Sequence, residues 1–104
     1  MNANTQVSIT NEGAVRIAVR GQLDVLTVGE FRATSEQVSL SHPKRLEIEL
    51  SSLRMLDSRG VGALVSLYKR VRQDGGQVAI TGACEQPLAI LKVLRLDRIF
   101  AQTA

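Results

Sequence analysis

Leu46-Glu47-Ile48-Glu49-Leu50 alternates apolar and acidic residues, and further on Val61, Leu64, Val65, Tyr68 and Val71 recur at mostly three- and four-residue spacing. The first pattern has the period of a half-buried strand. The second has that of an amphipathic helix, with Lys69, Arg70, Arg72 and Gln73 mostly outside the apolar stripe. Gly75-Gly76 stops this helix, because glycine takes the left-handed cap conformation with no Cβ penalty. Val78-Ala79-Ile80 then reads as a short apolar strand closed by Gly82. A strand–helix–strand run of this kind calls for a crossover connection and a parallel or mixed sheet.

The flanking segments extend the pattern. Val7 and Ile9, then Val15, Ile17 and Val19, alternate with other residues around Asn11-Glu12-Gly13, which predicts an N-terminal hairpin. Gly21 ends the second strand. Thr27-Val28-Gly29-Glu30 fits a capping box, and Val28, Phe31, Ser35 and Val38 follow at helical spacing, so a first helix is expected to run to about Leu40. Ser41-His42-Pro43 breaks it. Beyond Gly82, Pro87 suits the first turn of a third helix carrying Leu88, Leu91 and Leu94. The expectation is an α/β fold: a mixed sheet of about four to five strands, the hairpin at one side, covered by about three helices.

Composition bounds the function. The 104 residues make one domain, spanning 1–104, with 44% hydrophobic and 22% charged residues, as in an ordinary globular protein. With no Trp, one Tyr and two Phe, the core must be aliphatic, and no aromatic platform is available for stacking single-stranded nucleic acid. The net charge of +3 is dispersed; the densest basic stretch, Lys69-Arg70 with Arg72, is followed by Asp74 and reads as a solvated helix face. Neither nucleic-acid binding nor membrane insertion is expected. The single cysteine, Cys84, excludes an internal disulfide and suits a reducing compartment. With a polar start at Met1-Asn2-Ala3-Asn4 and no apolar run of membrane-spanning length, the expected location is cytoplasmic.

Met55-Leu56-Asp57-Ser58-Arg59-Gly60-Val61-Gly62-Ala63 is the least ordinary segment, and it lies where a strand passes into a helix. Structurally, Asp57 or Ser58 caps the helix, and Gly60, Gly62 and Ala63 let it sit close to the sheet. Catalytic readings fail. The lysine and hydroxyl that close a P-loop are missing, and so is the dinucleotide fingerprint. A nucleophilic Ser58 would need a base, yet the one histidine, His42, precedes Pro43 in a turn. Cys84 has no ligand partner at metal spacing and is expected to be a buried or half-buried small residue. No catalytic residue, cofactor or metal site is predicted.

Four segments in register carry a family resemblance. Leu56-Asp57-Ser58-Arg59-Gly60-Val61-Gly62-Ala63-Leu64 resembles the Asp-Ser-[Ser/Thr]-Gly-[Leu/Val]-Gly signature of STAS-domain anti-sigma-factor antagonists. Val19-Arg20-Gly21-Gln22-Leu23-Asp24 with Thr27 is similar to that family's Gly-Glu-Leu-Asp-x-x-Thr segment. Gly75-Gly76-Gln77-Val78 and Leu94-Arg95-Leu96-Asp97-Arg98-Ile99-Phe100 resemble its helix-ending glycine pair and its closing motif. The resemblance implies a non-enzymatic, phospho-switchable module. Ser58 would be the phospho-acceptor, and Asp24, Asp57, Ser58, Arg59 and Gly60 the partner-binding surface. The implied partners are a GHKL-type serine kinase that is also the anti-sigma factor, bound only when Ser58 is unphosphorylated, and a PP2C-type phosphatase that resets the switch. Asp24 reads equally as a turn residue or loop cap.

Two departures bear on that reading. Arg59 stands where a second Ser or Thr is common. The sequence runs to Ala104, shortly after Phe100, where many relatives continue into a final helix. The alternative is a non-catalytic STAS subunit of a lipid-trafficking ABC transporter complex. Its branch of the family typically carries Asp-Thr-Gly-Gly, which Asp57-Ser58-Arg59-Gly60 does not match.

Overall fold

In chain order, the computed structural model, which describes residues 4–10, 13–99 and 101–102, runs β1 (Thr5–Ile9), β2 (Val15–Val19), β3 (Gly21–Leu23), α1 (Val28–Leu40), β4 (Arg45–Glu49), β5 (Leu53–Leu56), α2 (Ser58–Gln73), β6 (Gln77–Thr81), α3 (Glu85–Val93), α4 (Leu96–Ile99) and β7 (Ala101–Gln102). The main sheet has the order β1-β2-β4-β6-β7. Its first pair is the antiparallel hairpin, and β2–β4, β4–β6 and β6–β7 are parallel. The expected mixed α/β architecture is therefore present. Asn11 and Glu12 of the hairpin turn, Met1–Ala3 and Phe100 lie outside the described residues.

Alternation along the central strands decides which face is buried. Ile17, Val19, Leu46, Ile48, Val78 and Ile80 turn inward against Phe31 and Val38 of α1 and Val61, Leu64, Leu67 and Val71 of α2. Each such side chain contributes roughly 1.5–3 kcal/mol when fully buried. The opposite face is polar: Arg16 Nε and Thr81 Oγ1 both donate to Glu47 Oε2, at 3.0 and 3.1 Å.

Several expectations need correction. Thr27 does not close a capping box; its hydroxyl donates to the Gln22 carbonyl at 2.8 Å, while Glu30 accepts the Thr5 amide at 3.2 Å. Both side chains tie α1 to the strands instead of to each other. Val7 and Ile9 are exposed on β1, which is an edge strand of the main sheet. The α2 stripe is centred on Leu67, with Val65 and Tyr68 only partly buried. Leu94 is exposed although Leu91 is buried. Cys84 is exposed, its thiol 3.9 Å from the Ser51 carbonyl at the start of α3. The second strand does end just before Gly21, at Val19, and Gly21, at φ +75°, turns the chain into a further strand, β3, that the sequence did not announce.

β3 and β5 form a separate two-stranded parallel sheet, with Leu23 opposite Leu56. Leu56 turns its remaining backbone groups toward α3. There the Gln86 amide accepts the Leu56 N–H at 2.8 Å and donates to the Leu56 carbonyl at 2.9 Å.

Candidate functional site

The small sheet places two loops side by side. Asp24 follows Leu23 and Asp57 follows Leu56, and the Asp57 amide donates across to the Leu23 carbonyl at 3.3 Å. Asp57 has extended backbone, and its Oδ1 accepts the amides of Arg59 and Gly60, each at 3.0 Å. It is the N-cap of α2, satisfying donors that a helix start leaves orphaned. Ser58 is then the first helical residue. It is exposed, and its hydroxyl has no partner among the described residues.

Gly60 is where α2 meets the small sheet. A Cβ there would lie 2.5 Å from the Leu23 carbonyl and 2.7 Å from Leu56 Cδ1, so only glycine lets the helix start this close. Gly62 differs. A Cβ there would meet only Arg32 Nη2, at 3.9 Å, so close approach to the sheet does not explain it.

In the neighbouring loop the carboxylate of Asp24 accepts the amides of Leu26 and Thr27 at 3.0 and 3.3 Å, and Thr27 Oγ1 in turn accepts the Asp24 amide at 3.0 Å. Asp24 is thus a loop cap, half-buried at the rim. That closed turn presents Val25 and Leu26 outward, 56% and 88% exposed. The fold brings all five residues singled out in the sequence to one rim: Asp24 in one loop, Asp57, Ser58, Arg59 and Gly60 at the start of α2. Arg59 is exposed. Val25 and Leu26 lie outside every segment singled out in the sequence, because two apolar residues in a short loop carry neither a motif nor a period.

The histidine lies far from Ser58. His42 bonds Asp74 at 2.9 Å. Asp74 lies just past the far end of α2, about 24 Å from Ser58 at 1.5 Å per residue. Among the described residues no three His, Cys, Asp or Glu side chains gather into a metal set, and no helix is long and apolar enough to cross a membrane. Farther along α2, Arg32, Ser35, Glu36, Ser66 and Arg70 line a cleft of about 250 Å³ against α1.

The mixed sheet with a small second sheet beside it, and the sequence that builds it, match a known family. The family model described as Mlab, STAS domain, covers residues 7–101. The chain belongs to the STAS domain family. Among curated relatives, the anti-sigma-B factor antagonist of Bacillus subtilis is 27% identical over 100 residues, covering 95% of this chain and 89% of the relative. That of Listeria monocytogenes is 22% identical over 99 residues, 95% of this chain and 87% of the relative. Among solved structures, an anti-sigma factor antagonist from Mycobacterium paratuberculosis superposes with a TM-score of 0.85 at 22% identity, over 94% of this chain and 82% of that one. The phosphorylated form of the Bacillus cell fate determinant SpoIIAA gives 0.75 at 17%, over 96% and 91%. These structural likenesses carry the STAS fold.

Proposed function

We propose that this STAS protein is a phospho-switchable anti-sigma-factor antagonist with Ser58 as the phospho-acceptor. The observation that carries the reading is the free Ser58 hydroxyl, exposed beside the Asp57 cap and next to the outward-facing Val25 and Leu26. The unphosphorylated protein binds a GHKL-type anti-sigma serine kinase through Asp24, Asp57, Ser58, Arg59 and Gly60, and so frees the sigma factor. Phosphorylation releases the kinase, and a PP2C-type phosphatase restores the hydroxyl. The module catalyses nothing itself and works in the cytoplasm.

The energetic basis is desolvation. Asp57 Oδ1 already takes the Arg59 and Gly60 amides, so what the helix start offers a phosphate is the positive end of its dipole, which keeps the modified protein folded. In a complex, the same group must lose its water inside an interface fitted to a hydroxyl. An imperfectly paired buried charge costs about 3–5 kcal/mol, against ~0.3–1 kcal/mol gained from the helix dipole at an exposed site. Release therefore dominates. Incubation with the cognate GHKL-type kinase and ATP, followed by mass spectrometry, tests the assignment. Phosphate at Ser58 supports it; phosphate at Ser66 or another hydroxyl defeats it.

A non-catalytic subunit of a lipid-trafficking ABC transporter complex is kept as a second reading, because the matching family model carries the Mlab description. Asp57-Ser58-Arg59-Gly60 and the antagonist names of the curated relatives weigh against it. Co-purification with an ABC ATPase, with no phosphorylation, would favour it.

A further inference from the structure

On α2, residues four apart lie on one row, and the row that starts at Ser58 passes through Gly62 to Ser66. Arg32 of α1 lies across this row: its Nη2 is 3.9 Å from where a Gly62 Cβ would be, and nothing else outside the helix comes within 4 Å of that point. Two residues earlier, Gly60 is demanded by contact with Leu23 and Leu56. At Gly62 no contact demands it, and its effect is to leave open the space under the Arg32 guanidinium, one rung along the row from Ser58. Cα–Cβ bonds tilt toward a helix's N-terminus, so a side chain at 62 would fill that space. Arg32 is exposed and has no ion-pair partner among the described residues.

We propose that Arg32 is the intramolecular receptor for the phosphate on Ser58, reached through the gap at Gly62. The inference rests on the assignment of Ser58 as the phospho-acceptor. A phosphoserine here carries about −1.5 to −2 charge beside the Asp57 carboxylate, and that repulsion calls for a cation facing the row. Adjacent rungs of the row are about 5–6 Å apart at Cβ, within the swing of an arginine already over the next rung. The planar guanidinium donates charge-assisted, two-pronged hydrogen bonds to phosphate oxygens. Arg59, next to Ser58 in sequence, projects about 100° farther round the helix and does not face it. Arg32 thereby holds the phosphate on its own domain, and Arg59 remains free for the partner.

The test installs phosphoserine at position 58 during translation, so that no kinase is needed, and follows its 31P shift with pH. In the parent protein Arg32 favours the dianion, and Arg32→Gln raises the second phosphate pKa by roughly half a unit, about threefold in the acid constant. Gly62→Leu, which blocks the gap while suiting the helix, raises it as well. Arg59→Gln leaves it near the parent value. Identical titrations for the parent and Arg32→Gln overturn the proposal, and so does an effect carried by Arg59 instead. The assignment of Ser58 as the natural acceptor fails separately: a cognate kinase that leaves Ser58 unmodified defeats that reading while the 31P result stands.

Discussion

The carbonyl oxygen of Leu23 lies 2.5 Å from the position a Cβ would take at Gly60, and the same oxygen accepts the amide of Asp57. One backbone atom thus sets how close α2 approaches the small sheet and holds the residue before Ser58. Gly60→Ala must push helix and sheet apart, and is expected to cost about 1–3 kcal/mol, as overpacking does. Gly62→Ala, with its Cβ in open space, should instead stabilise by up to ~1 kcal/mol through helix propensity. Urea unfolding of the pair reads both signs, as opposite shifts in midpoint at constant slope.

Asp57→Ala removes the acceptor for two amides at the helix start. The expected loss is about 0.5–2 kcal/mol, with Asp57→Asn retaining most of the stability. In a domain of this size each kcal/mol moves the melting temperature by about 4–8 °C, so thermal unfolding by circular dichroism resolves it.

Ser58→Ala is expected to bind the kinase persistently, and Ser58→Asp, Ser58→Glu and the phosphorylated protein weakly or not at all. At about 1.4 kcal/mol per decade, the desolvation cost corresponds to a loss of roughly a hundredfold or more. Titration calorimetry against the kinase measures it. Equal affinities across the set would remove Ser58 from the switch.

Leu26, almost fully exposed, contributes little to folding, so Leu26→Ser should leave stability within ±0.5 kcal/mol. If the partner covers this side chain, its burial is worth roughly 1.5–3 kcal/mol and affinity falls tenfold or more. Unchanged binding would place the interface away from the loop between β3 and α1.

Long elements are legible from the sequence because many residues vote for one period. Leu46 to Leu50 and Val61 to Val71 fix β4 and α2, and the glycines at 75 and 82 do adopt positive φ. β3 and β5 escape because three or four residues carry no usable period; Leu53 and Leu56 face inward three residues apart, and the pairing shifts between Gly21 and Gln22. The Thr27–Glu30 spacing has the right chemistry for a cap, but tertiary partners at Gln22 and Thr5 take both side chains. Alternation in β1 gives the strand and not its burial, which depends on its place at the sheet edge. Motif residues are legible as a group, since Asp57, Ser58 and Gly60 are consecutive or nearly so. Arg32 is invisible in one dimension, because only the packing of α1 on α2 brings it over Gly62.

The Gln86 amide on Leu56 bears on how another chain can be recognised at this rim. A short parallel ribbon ordinarily offers its outer edge as a template, and many peptide-binding domains capture ligands by adding a strand there. Gln86 occupies both the donor and the acceptor that Leu56 would lend to an incoming strand. Strand addition at Leu56, next to Ser58, is thereby closed off. Whatever docks at this rim must read side chains and loop surface, where a single hydroxyl can be sensed, and not the backbone, where it would pass unnoticed.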